Sequence, residues 1–231
     1  MIGLVGTVSA EHLDYYAYGD SVTNATIGAG LPANGSATYI LQMRDLFEPE
    51  ASVDYFKFGR GWNTSYAYDN LSRVLNNESK INIFIVMFGI NDLGVNSPAY
   101  FVAGKLADIY DYSKYNSTRT VIMIQTMIPT NPKRIWTTQE NQTKYILEIE
   151  KRLDEYGIKY VKAYDFIDLV PGNGYPDGVN LSYMAGGGGH PNVEGHKAIA
   201  IGLYDALKGE PPIQSPSTIF LFRLILHRIR I

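Results

Sequence analysis

Ile81-Asn82-Ile83-Phe84-Ile85-Val86-Met87-Phe88, followed at once by Gly89-Ile90-Asn91-Asp92, is the stretch from which the fold is read. The run is apolar at nearly every position, rich in β-branched and aromatic residues, and shows no alternation. A run of that length and character fits a strand buried on both faces. Such strands belong to parallel sheets with helices packed on either side. Working outward, the runs Tyr15–Tyr18, Ser52–Phe58, Thr120–Met127 and Lys159–Tyr164 read as four more strands. Helical spacing predicts helices near Ala37–Phe47, Ser65–Leu75, Pro98–Tyr112 and Gln139–Tyr156, and a last one over Asn192–Leu207. Strands and helices in alternation predict one α/β domain over residues 13–208, a three-layer α/β/α sandwich around a five-stranded parallel sheet. The 231 residues suffice for one such domain with a sizeable core.

Composition narrows the function classes. A net charge of −3 gives no reason to expect a nucleic-acid partner. The absence of cysteine excludes disulfides, thiolate catalysis and cysteine-based metal sites. Four histidines without a His-Glu-x-x-His pattern leave few metal ligands. Gly28-Ala29-Gly30 and Gly59-Arg60-Gly61 lack the third glycine of a dinucleotide fingerprint, and no Gly-Lys-[Ser/Thr] occurs. No cofactor is expected.

Residues 1–12 are expected to be a signal-peptide remnant or a disordered start, since Met1 to Ala10 is small and apolar and closes on Val8-Ser9-Ala10. From Gly209 the chain reads as a linker, with Glu210-Pro211-Pro212 and Ser215-Pro216-Ser217, leading to an apolar and basic tail at Ile219–Ile231. That tail is too short and too charged for a membrane span, which needs about 20 apolar residues. Its readings are contact with a membrane surface or a partner, and no selected role. Eight asparagines lie in Asn-x-[Ser/Thr] sequons: Asn24, Asn34, Asn63, Asn70, Asn77, Asn116, Asn141 and Asn180. About two would arise by chance, so export and glycosylation are expected, with an extracellular location.

In parallel sheets functional groups collect on the loops at the carboxyl ends of the strands. The first strand leads into Gly19-Asp20-Ser21-Val22-Thr23, the second into Gly59-Arg60-Gly61-Trp62-Asn63-Thr64, and the third into Gly89-Ile90-Asn91-Asp92. After the fifth comes a glycine-rich loop and then His190-Pro191-Asn192-Val193-Glu194-Gly195-His196. Each piece alone is ordinary turn chemistry. Together they supply the parts of an acyl-transfer site. A serine hydroxyl needs a base to become a nucleophile, and histidine titrates in the right range. Gly61 can offer a backbone N–H, Asn91 a side-chain amide and Ser21 its own N–H to an oxyanion. His196, Asp20 and Asp92 read as structural, and Trp62, Tyr66 and Tyr183 as core residues before pocket residues.

From about Asp14 to Leu207 this pattern resembles the SGNH (GDSL-type) hydrolases, whose blocks are matched by Gly19-Asp20-Ser21, Gly61, Gly89-Ile90-Asn91-Asp92, His190-Pro191-Asn192 and Gly195-His196. The resemblance implies a flavodoxin-like fold and a carboxylic ester hydrolase working through an acyl-enzyme. Ser21 would be its nucleophile and His190 its base, with Ser21, Gly61 and Asn91 forming the oxyanion hole. Small-molecule or polysaccharide esters would be the substrates. An α/β-hydrolase elbow is excluded because Thr23 stands where Gly-x-Ser-x-Gly needs glycine. The competing reading is a non-catalytic extracellular carbohydrate-binding relative.

One departure matters. Gly187, not an acid, lies three positions before His190. Excising Asn180 to Gly189 joins Asp177-Gly178-Val179 to His190-Pro191-Asn192 and restores the family block. The expectation is that Asp177 hydrogen-bonds His190 and that the insertion forms a surface loop, with Tyr183 or Met184 reaching over substrate. The alternative is a Ser–His dyad whose imidazole is oriented by a backbone carbonyl.

Overall fold

The computed structural model describes residues 12–24, 38–47, 52–59, 63–75, 81–115, 117–124, 138–185 and 189–208. The expectations for residues 1–11, for Gly61 and Trp62, for the end of the fourth strand beyond Ile124 and for the tail from Gly209 lie outside the described residues.

Five parallel strands form one sheet in the order β2-β1-β3-β4-β5: β1 (His12–Gly19), β2 (Ser52–Gly59), β3 (Ile81–Phe88), β4 (Ser117–Ile124) and β5 (Tyr160–Lys162). The helices are α1 (Ser21–Asn24), α2 (Tyr39–Phe47), α3 (Thr64–Leu75), α4 (Ile90–Gly94), α5 (Ala99–Ser113), α6 (Gln139–Glu155) and α7 (Val193–Lys208). Most elements fall near where sequence spacing puts them, but β1 and β4 begin three residues early, at His12 and Ser117, the short helices α1 and α4 were not expected, and one strand is shortened. The run Lys159–Tyr164 yields only three strand residues before the chain tightens into a 3₁₀ turn at Ala163–Phe166. Ala163 and Tyr164 are buried there, so the apolar signal was real, but its residues pack as a turn against the sheet.

The two faces of the sheet carry separate cores, as the two-residue period of a strand requires. Tyr16, Tyr18, Phe84, Val86, Phe88, Ile122 and Ile124 face one way, onto Leu71, Leu106, Ile109, Ile146 and Ile149 of α3, α5 and α6. Tyr15, Ala17, Ile83, Ile85, Met87, Val121 and Met123 face the other, onto Val22, Tyr39, Ile40, Met43, Ile199 and Leu203 of α1, α2 and α7. This double burial explains why β3 shows no alternation. Buried tyrosines find partners: the Tyr18 hydroxyl donates to the Ala67 carbonyl at 2.5 Å, and the Tyr15 hydroxyl donates to that of Ile40.

Where the strand order reverses, β1 and β3 are neighbours, and Gly19 lies opposite Met87. Ligand sites in such sheets form at this switch point. A Cβ on Gly19 would stand 2.0 Å from Thr23 Oγ1 and 2.7 Å from the Met87 carbonyl oxygen. Glycine is required there because α1 turns back tightly over the end of β1. Gly19→Ala is expected to lower the free energy of unfolding by roughly 1–3 kcal/mol, as overpacking does. Chemical denaturation would register this as a lower midpoint at unchanged slope.

Candidate active site

Ser21 is the first residue of α1, directly after β1. Fully buried Asp20 builds the turn: its Oδ1 accepts the Val22 N–H at 2.9 Å, while its carbonyl accepts the N–H of Asn24 at 3.0 Å. The Thr23 and Tyr39 hydroxyls share a hydrogen bond at 3.0 Å, and the Tyr39 N–H donates to His196 Nδ1 at 3.2 Å. Tyr39 also stacks on that imidazole, 6.1 Å between centroids. His196, fully buried in the first turn of α7, is therefore structural, as its position suggested. It ties the Ser21 turn, through α2, to the helix that follows His190.

His190 is held by its backbone. The Ala185 N–H donates to the His190 carbonyl at 3.0 Å, and the Asn192 N–H to that of Tyr183 at 2.8 Å. Met184 and Pro191 form an antiparallel bridge. Asn192 Nδ2 donates to the Ser182 and Met184 carbonyls at 2.7 and 3.2 Å, and its Oδ1 accepts the Gly195 N–H at 3.0 Å. The result is that His190 Nε2 lies 2.8 Å from Ser21 Oγ, across 169 positions of sequence. Burial pushes the His190 pKa below its ordinary value, which favours the neutral ring that a general base requires.

Asn91 sits in the first turn of α4, at the carboxyl end of β3. The preceding Gly89 has φ +133°, a conformation that glycine adopts without strain. Asp92 is fully buried, and its carboxylate accepts hydrogen bonds from Thr64 at the start of α3. Thr64 escaped the reading of the sequence. Its signals there were its place at the end of the loop after β2 and in the Asn63 sequon, neither of which points to Asp92, whereas its side chain is wholly buried and used internally. Tyr66 is half exposed on α3, and partly buried Tyr183 packs against the second core. Neither is placed in a pocket by the described contacts.

The expected hydrogen bond from Asp177 to His190 is not made. The Asp177 carboxylate accepts from Asn173 Nδ2, its N–H donates to Asp168 Oδ2 at 2.9 Å, and its carbonyl accepts from Gln139 Nε2. Buried Asp168 is the cause. It gathers the N–H groups of Leu169 and Asp177, while its bridge to Val179 closes the loop on itself. The carboxylate of Asp177 then meets its near neighbour Asn173. No described residue hydrogen-bonds His190 Nδ1.

The insertion also departs from expectation. Leu181–Tyr183 is a 3₁₀ turn, Met184 is buried in the second core, and a Cβ on Gly195 would stand 2.3 Å from the Tyr183 carbonyl oxygen. This segment is packed onto α7 rather than arching over the site, because Met184 gains more from burial than from exposure. Gly186 to Gly188 lie outside the described residues.

Residues 17–198 match the model of the GDSL-like lipase/acylhydrolase family. The chain belongs to this family. It is accordingly a carboxylic ester hydrolase, and its sheet agrees with solved relatives. An acetylxylan esterase, Axe2 of Geobacillus stearothermophilus, superposes with a TM-score of 0.65 at 17% identity, covering 88% of this chain and 97% of that one. The psychrotrophic esterase EstA from Pseudoalteromonas sp. gives 0.61 at 16% identity, over 85% and 97%. A GDSL-like lipase from Bacteroides thetaiotaomicron VPI-5482 gives 0.59 at 18%, over 85% and 88%. These likenesses concern the fold. A search of curated proteins finds no match to the sequence.

For this acylhydrolase, Asp177→Asn is expected to lower kcat/KM by less than about tenfold, not the roughly 10⁴-fold that follows loss of an acid holding the imidazole tautomer. The acid limb of the pH profile is expected below the ordinary histidine value. With His190 as the base, activity would fall as its ring gains a proton, and burial delays that gain to lower pH. A limb at or above the ordinary value would instead reveal a carboxylate partner, which raises an imidazole's pKa.

Proposed function

We propose that the chain is a serine esterase in which Ser21 is the nucleophile, His190 the general base, and the Ser21 N–H, Gly61 and Asn91 the oxyanion hole. The observation that carries this is the 2.8 Å approach of His190 Nε2 to Ser21 Oγ between segments far apart in the chain. That distance is within the reach a base needs. Ser21 Oγ attacks the ester carbonyl carbon as its proton passes to Nε2. The carbonyl π-bond opens, and the charge settles on the oxygen. When the C=O re-forms, the bond to the alcohol oxygen breaks, and that oxygen takes the proton from Nε2. Water then attacks the acyl-enzyme carbonyl, giving its proton to Nε2. Collapse releases the acid and returns the proton to Ser21. With no acid at Nδ1 among the described residues, the bridge of Met184 with Pro191 and the Ala185–His190 hydrogen bond would hold the ring's place, making a dyad.

The proposed substrates are acyl or acetyl esters of small alcohols or polysaccharides outside the cell. Two observations support this: the eight sequons, and an acetylxylan esterase among the proteins of similar fold. The tight Ser–His contact favours an enzyme over the binding-module reading. Asn24, Asn63, Asn70, Asn141 and Asn180 each retain some solvent exposure. Mass spectrometry of protein from its natural source is expected to find glycans on several sequons; uniformly bare asparagines would remove the support for export.

Ser21→Ala is expected to reduce turnover of nitrophenyl and sugar acetates by several orders of magnitude with the fold retained, and Asn91→Ala by roughly 10²–10³-fold with little change in KM. Near-normal hydrolysis by Ser21→Ala would refute the assignment.

A further inference from the structure

A cavity of about 20 Å³ borders the turn that carries Asn91. Phe88, Gly89 and Ile90, the residues just before Asn91, line it from the end of β3, and Tyr145, Ile146 and Ile149 line it from α6. At Gly89 the wall has no side chain, and the Ile149 Cδ1 methyl stands 3.9 Å from where a Cβ there would lie. The Tyr145 hydroxyl is buried with no hydrogen-bond partner among the described residues. Such a hydroxyl adds nothing to stability, and a cavity is costly in a close-packed interior.

The place of this cavity in the topology is informative. Gly19 pairs with Met87 where β1 meets β3. Ser21 lies two residues beyond the first and Gly89 two beyond the second, so the Ser21 turn and the cavity wall stand about one strand spacing apart, on the order of 5 Å. The side of the sheet matters as well. Phe88, Ile146 and Ile149 belong to the first core, whereas Ile199 and Leu203 of α7 belong to the second. His190 precedes α7 and meets Ser21 Oγ from that second side. In the transfers above, the alcohol oxygen must face His190 Nε2 to take its proton. The acyl substituent on the same carbon then points away from His190, toward the face on which the cavity lies.

We propose that this cavity receives the acyl group of the ester, that its size confines that group to acetyl, and that Ile149 is a specificity-determining residue. The inference rests on the roles given to Ser21 and His190 under the proposed function. The least volume that holds a water molecule is about 10–15 Å³. A cavity of about 20 Å³ therefore takes a methyl group, while a propyl chain would have to displace α6. Apart from Gln142, the side chains that line it are aliphatic or aromatic, which suits an alkyl group and not a charged one.

The test measures hydrolysis of nitrophenyl acetate, propionate, butyrate and hexanoate by the full chain, beside Ile149→Val, Tyr145→Phe, Ile109→Val and Ser21→Ala. In the wild type kcat/KM is expected to be highest for acetate and to fall roughly 10–100-fold by butyrate. Ile149→Val deletes the methyl that faces Gly89. The ratio of kcat/KM for propionate to that for acetate is then expected to rise about tenfold. Tyr145→Phe removes the unpartnered oxygen without loss of a described hydrogen bond. It is expected to shift the ratio the same way with melting temperature unchanged. Ile109 is buried in the same core but does not line the cavity, so Ile109→Val controls for loosened packing and should leave the ratio where it was. Equal rates on acetate and butyrate in the wild type, an unchanged ratio in folded Ile149→Val, or an equal rise in Ile109→Val overturns the proposal. If Ile149→Val does not fold, Tyr145→Phe decides. Full hydrolysis by Ser21→Ala would locate the failure in the proposed function. Hydrolysis that needs Ser21 but ignores acyl length would locate it in the cavity.

Discussion

The parallel pairing of β1 with β3, which sets Gly19 opposite Met87, is the constraint on which the site depends. The contact leaves no room for a side chain, because α1 folds back until Thr23 Oγ1 occupies the space a Cβ would take. β2 pairs on the other flank of β1, with Gly59 opposite Gly19. Three strands thus end at one height, and Ser21 follows the middle one. Their placement follows from packing: β1 and β3 are sandwiched between two apolar layers, and a slip of one residue would exchange the faces of Tyr15 and Tyr16.

Carboxylates at this end of the sheet hold loops rather than react. Asp20 receives the Val22 N–H, Asp92 the N–H and hydroxyl of Thr64, and Asp168 the N–H groups of Leu169 and Asp177. Each is buried, and each satisfies donors that the start of a helix or a tight turn leaves without partners. Below them, Glu150 accepts from the Tyr164 hydroxyl at 2.5 Å and pairs with Lys162 at 3.0 Å, while Lys162 donates to the Gly174 carbonyl at 2.7 Å. The loop after β5 is thereby fastened to α6 and β5, and with it the direction in which Asp177 points.

His190, the proposed base, is placed in a different way from an imidazole held by an acid. An acid at Nδ1 fixes tautomer and orientation together. Here the ring's position is set from the main chain, through the pairing of Met184 with Pro191 and the capping of α7 by Asn192. The burial of Met184 in the same core as Ile199 and Leu203 couples that pairing to the docking of α7. The stacked contact of Tyr39 on His196 couples α7 in turn to the helix against which the Ser21 turn is packed. Core packing thus connects Ser21 with His190 through α1, α2 and α7.

The amino-acid sequence by itself determined the alternation of strands and helices, the two-sided burial of β3 and the chemical blocks around Ser21, Asn91 and His190. These follow from local pattern: apolar runs, helical spacing, and glycines where a strand must turn. It also marked Asp92 as a brace, but its partner Thr64 was hidden, since no spacing rule connects the start of one helix with the loop before another. Asp177 was misjudged for the same reason. Excising ten residues restored a familiar string, but a hydrogen bond is formed by distance, and the closure of the loop by Asp168 and Val179 turned that carboxylate toward Asn173. Tertiary structure alone decided which donors each buried oxygen meets, because strand order brings together segments that the sequence keeps far apart.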